Sequence, residues 1–103
     1  MRPPKCYGRF QALGQVAAIW FPGDAEWVGD RHAILIDTSL GERLSFDCLV
    51  LVNDPNLMKR VKAGDIVEVE GDLDTAIAGE GIFRSLLIAT KLRRVANKSG
   101  RLV

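Results

Sequence analysis

Residues Leu57 to Leu73 read LMKRVKAGDIVEVEGDL, and this stretch passes through three kinds of local structure. Leu57, Met58 and Val61 supply the apolar side of one or two helical turns. Asp54 stands before them as N-cap, and Pro55 takes the first helical position, where its missing N–H is not needed. Ala63-Gly64-Asp65 then forms a tight turn that ends the helix. From Ile66 the period changes: Val67, Val69 and Leu73 share one face, while Glu68, Glu70, Asp72 and Asp74 share the other, the alternation of a half-buried strand. The strand is expected to stop at Gly71, and residues 74–81 to form an acidic, glycine-containing loop.

The segments on either side read as further strands. Residues 9–21, RFQALGQVAAIWF, are long for a simple strand and carry Gly14 in the middle, which predicts a bulge or sharp bend. Most of Phe10, Leu13, Val16 and Ile19 should point inward. Pro22-Gly23-Asp24 is a turn signal, and residues 22–30 form a loop containing Trp27. A second strand is expected over 31–38 and a third over 43–52, joined by a hairpin turn at Leu40-Gly41-Glu42. In the third strand Leu44, Phe46, Cys48, Val50 and Val52 share a face. Leu49 and Leu51 then lie outward, which asks for cover by the helix or by another subunit. A fifth strand runs over 82–95, with Leu86, Ile88 and Leu92 on one face and Phe83, Ser85, Leu87, Ala89, Lys91 and Arg93 on the other. The expected organisation is an N-terminal arm over 1–8, one domain over 9–95 and a basic tail over 96–103.

With 103 residues, 48% apolar and 26% charged, the chain has the composition of one ordinary globular domain. No apolar run approaches the roughly 20 residues of a membrane span, and Met1-Arg2-Pro3-Pro4-Lys5 is not followed by the apolar stretch of a signal peptide. A cytoplasmic protein without membrane contact is expected. The net charge of +1 conceals a segregation. Six acids and no base lie between Asp65 and Glu80, so all fourteen bases lie elsewhere. Bases gather near both ends: Arg2, Lys5 and Arg9, then Lys91, Arg93, Arg94, Lys98 and Arg101. Such ends are either solvated tails or the footprint of a polyanion.

Catalytic motifs are missing. The chain carries no phosphate loop, no Gly-x-Ser-x-Gly elbow and no paired cysteines. His32 is the one histidine, and Cys6 and Cys48 are the two cysteines, so neither a metal site nor a disulfide framework is expected. The acids on alternating positions of one strand have the pattern of a solvated face. An enzyme, a cofactor and a small-molecule substrate are therefore not expected.

A five-stranded mainly β barrel of the OB type places a helix between its third and fourth strands, where 54–64 fall. At these residues the chain resembles the bacterial single-stranded DNA-binding proteins. Their OB domains carry a similar Lys-x-Gly-Asp run, here Lys62-Ala63-Gly64-Asp65, then alternating valines and Glu-Gly-x-Leu, here Glu70-Gly71-Asp72-Leu73. Gly14-Gln15-Val16 matches a similar step in their first strand. The resemblance implies binding of single-stranded DNA or RNA, with a homodimer or tetramer as the assembly. Such domains combine a basic groove with rings on which bases stack. Trp20, Trp27 and Phe83 are the candidate rings, and Arg31, Arg43, Arg84 and Lys91 the candidate phosphate partners. Trp27 is open to two readings, a stacking platform or a loop anchor, and Trp20 to core or groove. Two features depart from the family: the chain ends in a basic segment around Lys98-Ser99-Gly100-Arg101 where those proteins continue into a long acidic-tipped tail, and the fourth strand is strongly acidic. The rival reading is a protein-interaction or assembly module whose contact surface is that acidic strand with Leu49 and Leu51.

Overall fold

The computed structural model describes residues 8–38, 47–79, 82–97 and 99–102, with backbone alone for 75–79 and 82–85. Five strands make the architecture: β1 (Gly8–Trp20), β2 (His32–Asp37), β3 (Asp47–Val52), β4 (Ile66–Gly79) and β5 (Ile82–Ala96). They close into a barrel in the order β1-β2-β3-β5-β4. All pairings are antiparallel except the parallel contact of β3 with β5, which spans only Val50 opposite Leu87 and Leu51 opposite Ile88.

Closure depends on the bend of β1. Its first part, Gly8 to Gln15, pairs with β4, and its second, Gln15 to Trp20, pairs with β2, with a register shift between Val16 and Ala18. Gly14 is buried at the bend, where a Cβ would collide with the Asp37 carbonyl oxygen and lie 2.7 Å from Ile36 Cγ2. The Lys-Ala-Gly-Asp turn locks onto the same point. Val16 N–H donates to the Asp65 carbonyl and Gly64 N–H to the Val16 carbonyl, both at 2.8 Å. Gln15 Nε2 adds a bond to the Gly64 carbonyl at 3.0 Å. Gly64 has φ 94°, a conformation open mainly to glycine.

Alternation fills the interior. Val16, Ile34, Ile36, Val50, Val52, Val67 and Val69 are fully buried in one cluster, with Phe10, Ala12, Ile19, Cys48, Leu57, Met58, Val61, Leu87 and Leu92 packed against it. Each fully buried Val or Ile contributes about 1.5–3 kcal/mol relative to exposure. Leu13 lies outside, exposed to solvent, because the glycine that bends the strand is itself the inward position beside it.

The structure corrects expectations in the helix, in β4, in β5 and at Leu51. The helix over 54–64 is a single 3-10 turn, Pro55–Met58. Asp54 does cap it, accepting from Asn56 N–H at 3.0 Å, but the chain must then leave the helical path to reach Val16. Asp54→Ala is expected to lower stability by about 0.5–2 kcal/mol, measured by urea unfolding.

The strand β4 does not stop at Gly71, and 74–79 are no loop: β4 continues to Gly79 and pairs with β5 as far as Ile82. Gly71 is instead a buried position where β5 passes close by, since a Cβ there would overlap the Ile88 carbonyl oxygen. The extended hairpin contributes to a molecule measuring 51 × 28 × 27 Å. Leu73, past the bulge between Glu70 and Gly71, is exposed and not core.

On β5 the same bulge reverses the faces. Glu70 pairs with Lys91 and Gly71 with Ala89, which leaves Thr90 as the extra residue. Leu87, Ala89 and Leu92 therefore face the main core, while Leu86 and Ile88 pack outside it. Lastly, Leu51 is buried, and its cover is the loop after β1, not the helix or a partner. The Leu40-Gly41-Glu42 turn and Arg43 to Phe46 lie outside the described residues.

Candidate nucleic-acid interface

Residues 21–31 leave β1 and fold back over the outer face of the barrel. Phe21 precedes a proline, which disfavours continuing in the helical region, and Asp24 closes the turn. Its Oδ2 accepts from Phe21 N–H at 2.7 Å, and Asp24 N–H donates to the Phe21 carbonyl at 3.0 Å. Gly23 N–H bonds the Gly29 carbonyl at 2.9 Å, while Val28 and Gly29 N–H both bond the Ala25 carbonyl. The loop is thus a fixed object. Val28, fully buried, seats it on Ala33 and Leu51, with Trp20, Ala25, Leu86 and Ile88 packed around.

This seat is a second, smaller core outside the barrel. It exists because Ala33 and Leu51 are opposite each other across β2 and β3, Trp20 is opposite Ala33, and Ile88 is opposite Leu51. An apolar row therefore crosses four strands. The neighbouring row, Ala18, Leu35 and Leu49, is not covered in the same way, and Leu49 is 42% exposed.

On the rim the rings of Trp20 and Trp27 meet edge to face, centroids 5.2 Å apart and planes at 67°. Trp20 is half-buried, whereas Trp27 is 48% exposed. A second ring pair stands at the same end: Phe21 and His32, 5.5 Å apart at 69°, with Phe21 56% exposed. Phe21 and His32 were not among the candidate site residues. The available signal was the Trp20-Phe21-Pro22 step, because a residue placed directly before proline at a strand end has left the alternation that would bury it.

Of the candidate residues, the structure brings together Trp20 and Trp27, and it places half-buried Arg31 directly after the loop beside His32. Lys91 is exposed on β5, three residues beyond Ile88 and opposite Glu70 on β4. Phe83 and Arg84 sit on β5 opposite Ile77 and Ala76, far along the hairpin, where the backbone alone is described. Arg43 lies outside the described residues.

The acids of β4 are offset by their neighbours. Arg93 Nη2 holds Glu68 Oε2 at 3.1 Å, Arg9 Nε stands 3.9 Å from Asp72 Oδ1, and Glu70 lies between Gln11 on β1 and Lys91 on β5. Opposite charges in facing positions stabilise a sheet modestly. The acidic row belongs to the β1-β4-β5 surface and leaves the loop with its tryptophans on β2-β3-β5.

No family model and no curated protein matches this chain. Solved structures do match, over nearly its whole length. The mitochondrial single-stranded DNA-binding protein of S. cerevisiae superposes with a TM-score of 0.69 at 14% identity, covering 89% of this chain and 98% of its own. The dimeric N-terminal domain of PriB from Thermoanaerobacter tencongensis gives 0.62 at 12%, covering 86% and 97%. The small single-stranded DNA-binding protein of Streptomyces coelicolor gives 0.62 at 17%, covering 88% and 94%. The barrel is an OB fold. Within it, the loop between β1 and β2 is one of the two that flank the ligand face of such barrels, and here it carries both tryptophans or adjoins them. Among the described residues of this OB barrel, no helix is long and apolar enough to cross a membrane, and no group of His, Cys, Asp or Glu is placed to hold a metal ion.

Proposed function

We propose that this OB barrel binds single-stranded DNA with little sequence preference and without catalysis, by laying bases on the Trp20, Trp27 and Phe21 rings. One observation carries the reading: a hydrogen-bonded loop anchored by Val28 holds a half-exposed tryptophan against a second one, beside an exposed phenylalanine. Large rings left in water are unfavourable, while each base stacked on one contributes roughly 1–3 kcal/mol to binding whatever the base. Arg31, directly after the loop, is the proposed phosphate contact nearest the rings, and Lys91, exposed on β5 opposite Glu70, is a further one. Arg43, Phe83 and Arg84 remain candidate contacts on the neighbouring strand and hairpin. Two of the matching structures are single-stranded DNA-binding proteins by name, which favours DNA over RNA. A sequence-tolerant binder of this kind serves replication, recombination or DNA transfer, wherever strands are separated.

A labelled oligothymidylate titrated at two salt concentrations tests the proposal. Binding that weakens with salt and exceeds binding to a duplex of the same length is expected. No binding at low salt discards it.

The rival reading as a pure interaction module loses much of its surface, since Leu51 is under Val28 and Glu68 is held by Arg93. Exposed Leu13 and Leu49 still favour self-association, and the matching PriB domain is dimeric. We infer a homodimer or tetramer. Light scattering at tens of micromolar should give a multiple of the 11.3 kDa chain mass, and a monomer mass contradicts the inference.

A further inference from the structure

The parallel pairing of β3 with β5 ends after two residues, and beyond it the two strands diverge. The 3-10 turn fills the space between them, touching both β3 and β5. A groove of about 380 Å³ remains between this turn and the last part of β5. Leu57, Val61 and Leu92 are among its lining residues, together with four cations: Lys59 and Arg60 directly after the turn, Arg93 and Arg94 from β5.

The four cations are not equivalent. Arg93 is engaged by Glu68 at 3.1 Å. Arg94 is tethered, its Nη1 3.4 Å from the Arg60 carbonyl and 3.9 Å from Asp65 Oδ2, while its buried Nε has no hydrogen-bond partner among the described residues. Lys59 and Arg60 are exposed and make no ion pair among the described residues. Two acids against four bases leave the groove electropositive. Guanidinium and ammonium groups gathered over an apolar floor suit a phosphodiester with its base turned inward.

Position decides which polyanion fits. Ile88 belongs to the apolar seat beneath the tryptophan loop, and Arg93 to the groove. Arg93 is five positions beyond Ile88, about 16 Å at strand rise, with exposed Lys91 between. A chain that stacks on Trp20 and Trp27 and follows β5 reaches the groove within a few nucleotides.

We propose that the groove between the 3-10 turn and β5 is a second phosphate-contact subsite, which continues the path of a single strand past the tryptophan loop. It rests on the single-strand reading given above. Lys59 and Arg60 are its free cations, and Arg94 is its fixed wall.

The double variant Lys59→Gln/Arg60→Gln tests it against wild type, with an oligothymidylate of about 15 nucleotides over a series of salt concentrations. The two positions are exposed, so the fold should tolerate the change, which a thermal unfolding scan verifies. Two lost contacts should flatten the slope of log affinity against log salt by about 1.4, which weakens binding about 25-fold at 0.1 M salt relative to 1 M. Tryptophan quenching at saturation should stay as in wild type, because the stacking loop is untouched. Arg9→Gln, which removes a charge on the β1-β4-β5 surface, should leave the slope nearly unchanged.

An unchanged slope in the double variant overturns the subsite while leaving single-strand binding standing. Failure of wild type to bind any oligothymidylate fails the underlying reading instead, and the subsite with it. Should the double variant keep its oligonucleotide slope but lose binding of a short polyglutamate peptide ending in an aromatic residue, the groove belongs to an acidic protein partner and the proposal is overturned.

Discussion

Trp27→Ala is expected to weaken oligothymidylate binding by roughly 1–3 kcal/mol, about 5- to 150-fold, with the barrel still folded. The ring is half exposed, meets Trp20 edge to face and belongs to neither buried cluster. Its removal should therefore cost far less stability than the roughly 3–5 kcal/mol typical of truncating a buried aromatic. Trp20→Ala is a harsher change, since Trp20 also packs on the Val28, Ala33 and Leu51 cluster. It should lose both affinity and stability. Trp20→Phe separates the two roles by keeping a ring in place. The two tryptophans touch, so their effects should not add, and the double variant should lose less than the sum of the singles. Wild-type affinity in both folded single variants would make the rings structural.

The second large effect concerns the fold. Gly71→Ala is expected to destabilise the barrel by roughly 2–4 kcal/mol, because the new Cβ meets the Ile88 carbonyl and stands 2.7 Å from Phe10 Cε1. A backbone carbonyl cannot rotate away as the end of a side chain can, so β4 and β5 must separate. Gly23→Ala is the informative comparison. Gly23 has φ 85° but nothing near its missing Cβ, so alanine there meets only backbone strain of about 1–2 kcal/mol. Urea midpoints should fall in the order wild type, Gly23→Ala, Gly71→Ala. Equal midpoints for Gly71→Ala and wild type would mean that β4 and β5 do not approach so closely.

These two glycines also mark what the sequence could tell. The five strands, the bend at Gly14 and the Lys62 to Asp65 turn are legible because their signals are local: alternation, a glycine within a strand, a turn followed by a strand. Gly71 has the local pattern of a strand end because glycine commonly punctuates. Its actual role is set by Ile88, seventeen positions further on, and no local pattern reports such an approach. The face reversal on β5 has the same origin, since one extra residue at Thr90 inverts every later side chain. The 3-10 turn carries adequate helix signals in Asp54 and Pro55, but it ends at Met58, and the chain beyond it is bonded to Val16 through Gly64 and Asp65.

The candidate site divides in the same way. Trp20 and Trp27 were recognisable from large rings beside Pro22-Gly23-Asp24. Phe21 was hidden by its place at the end of a strand pattern. Leu51 looked like an unmet apolar face, and its cover by Val28 required knowing that the loop folds back over β2 and β3. Lys59 and Arg60 carry no local signal of a site, and the divergence of β3 from β5 is what makes them a groove wall.

If a single strand lies over the loop between β1 and β2, amide shift mapping reads its footprint residue by residue. On titrating the protein with oligothymidylate, the largest perturbations should fall on Trp20, Phe21, Trp27 and Arg31 and their neighbours, with both indole N–H signals moving. Perturbations confined to the β1-β4-β5 surface around Glu68 and Glu70, or none at saturating oligonucleotide, would contradict it.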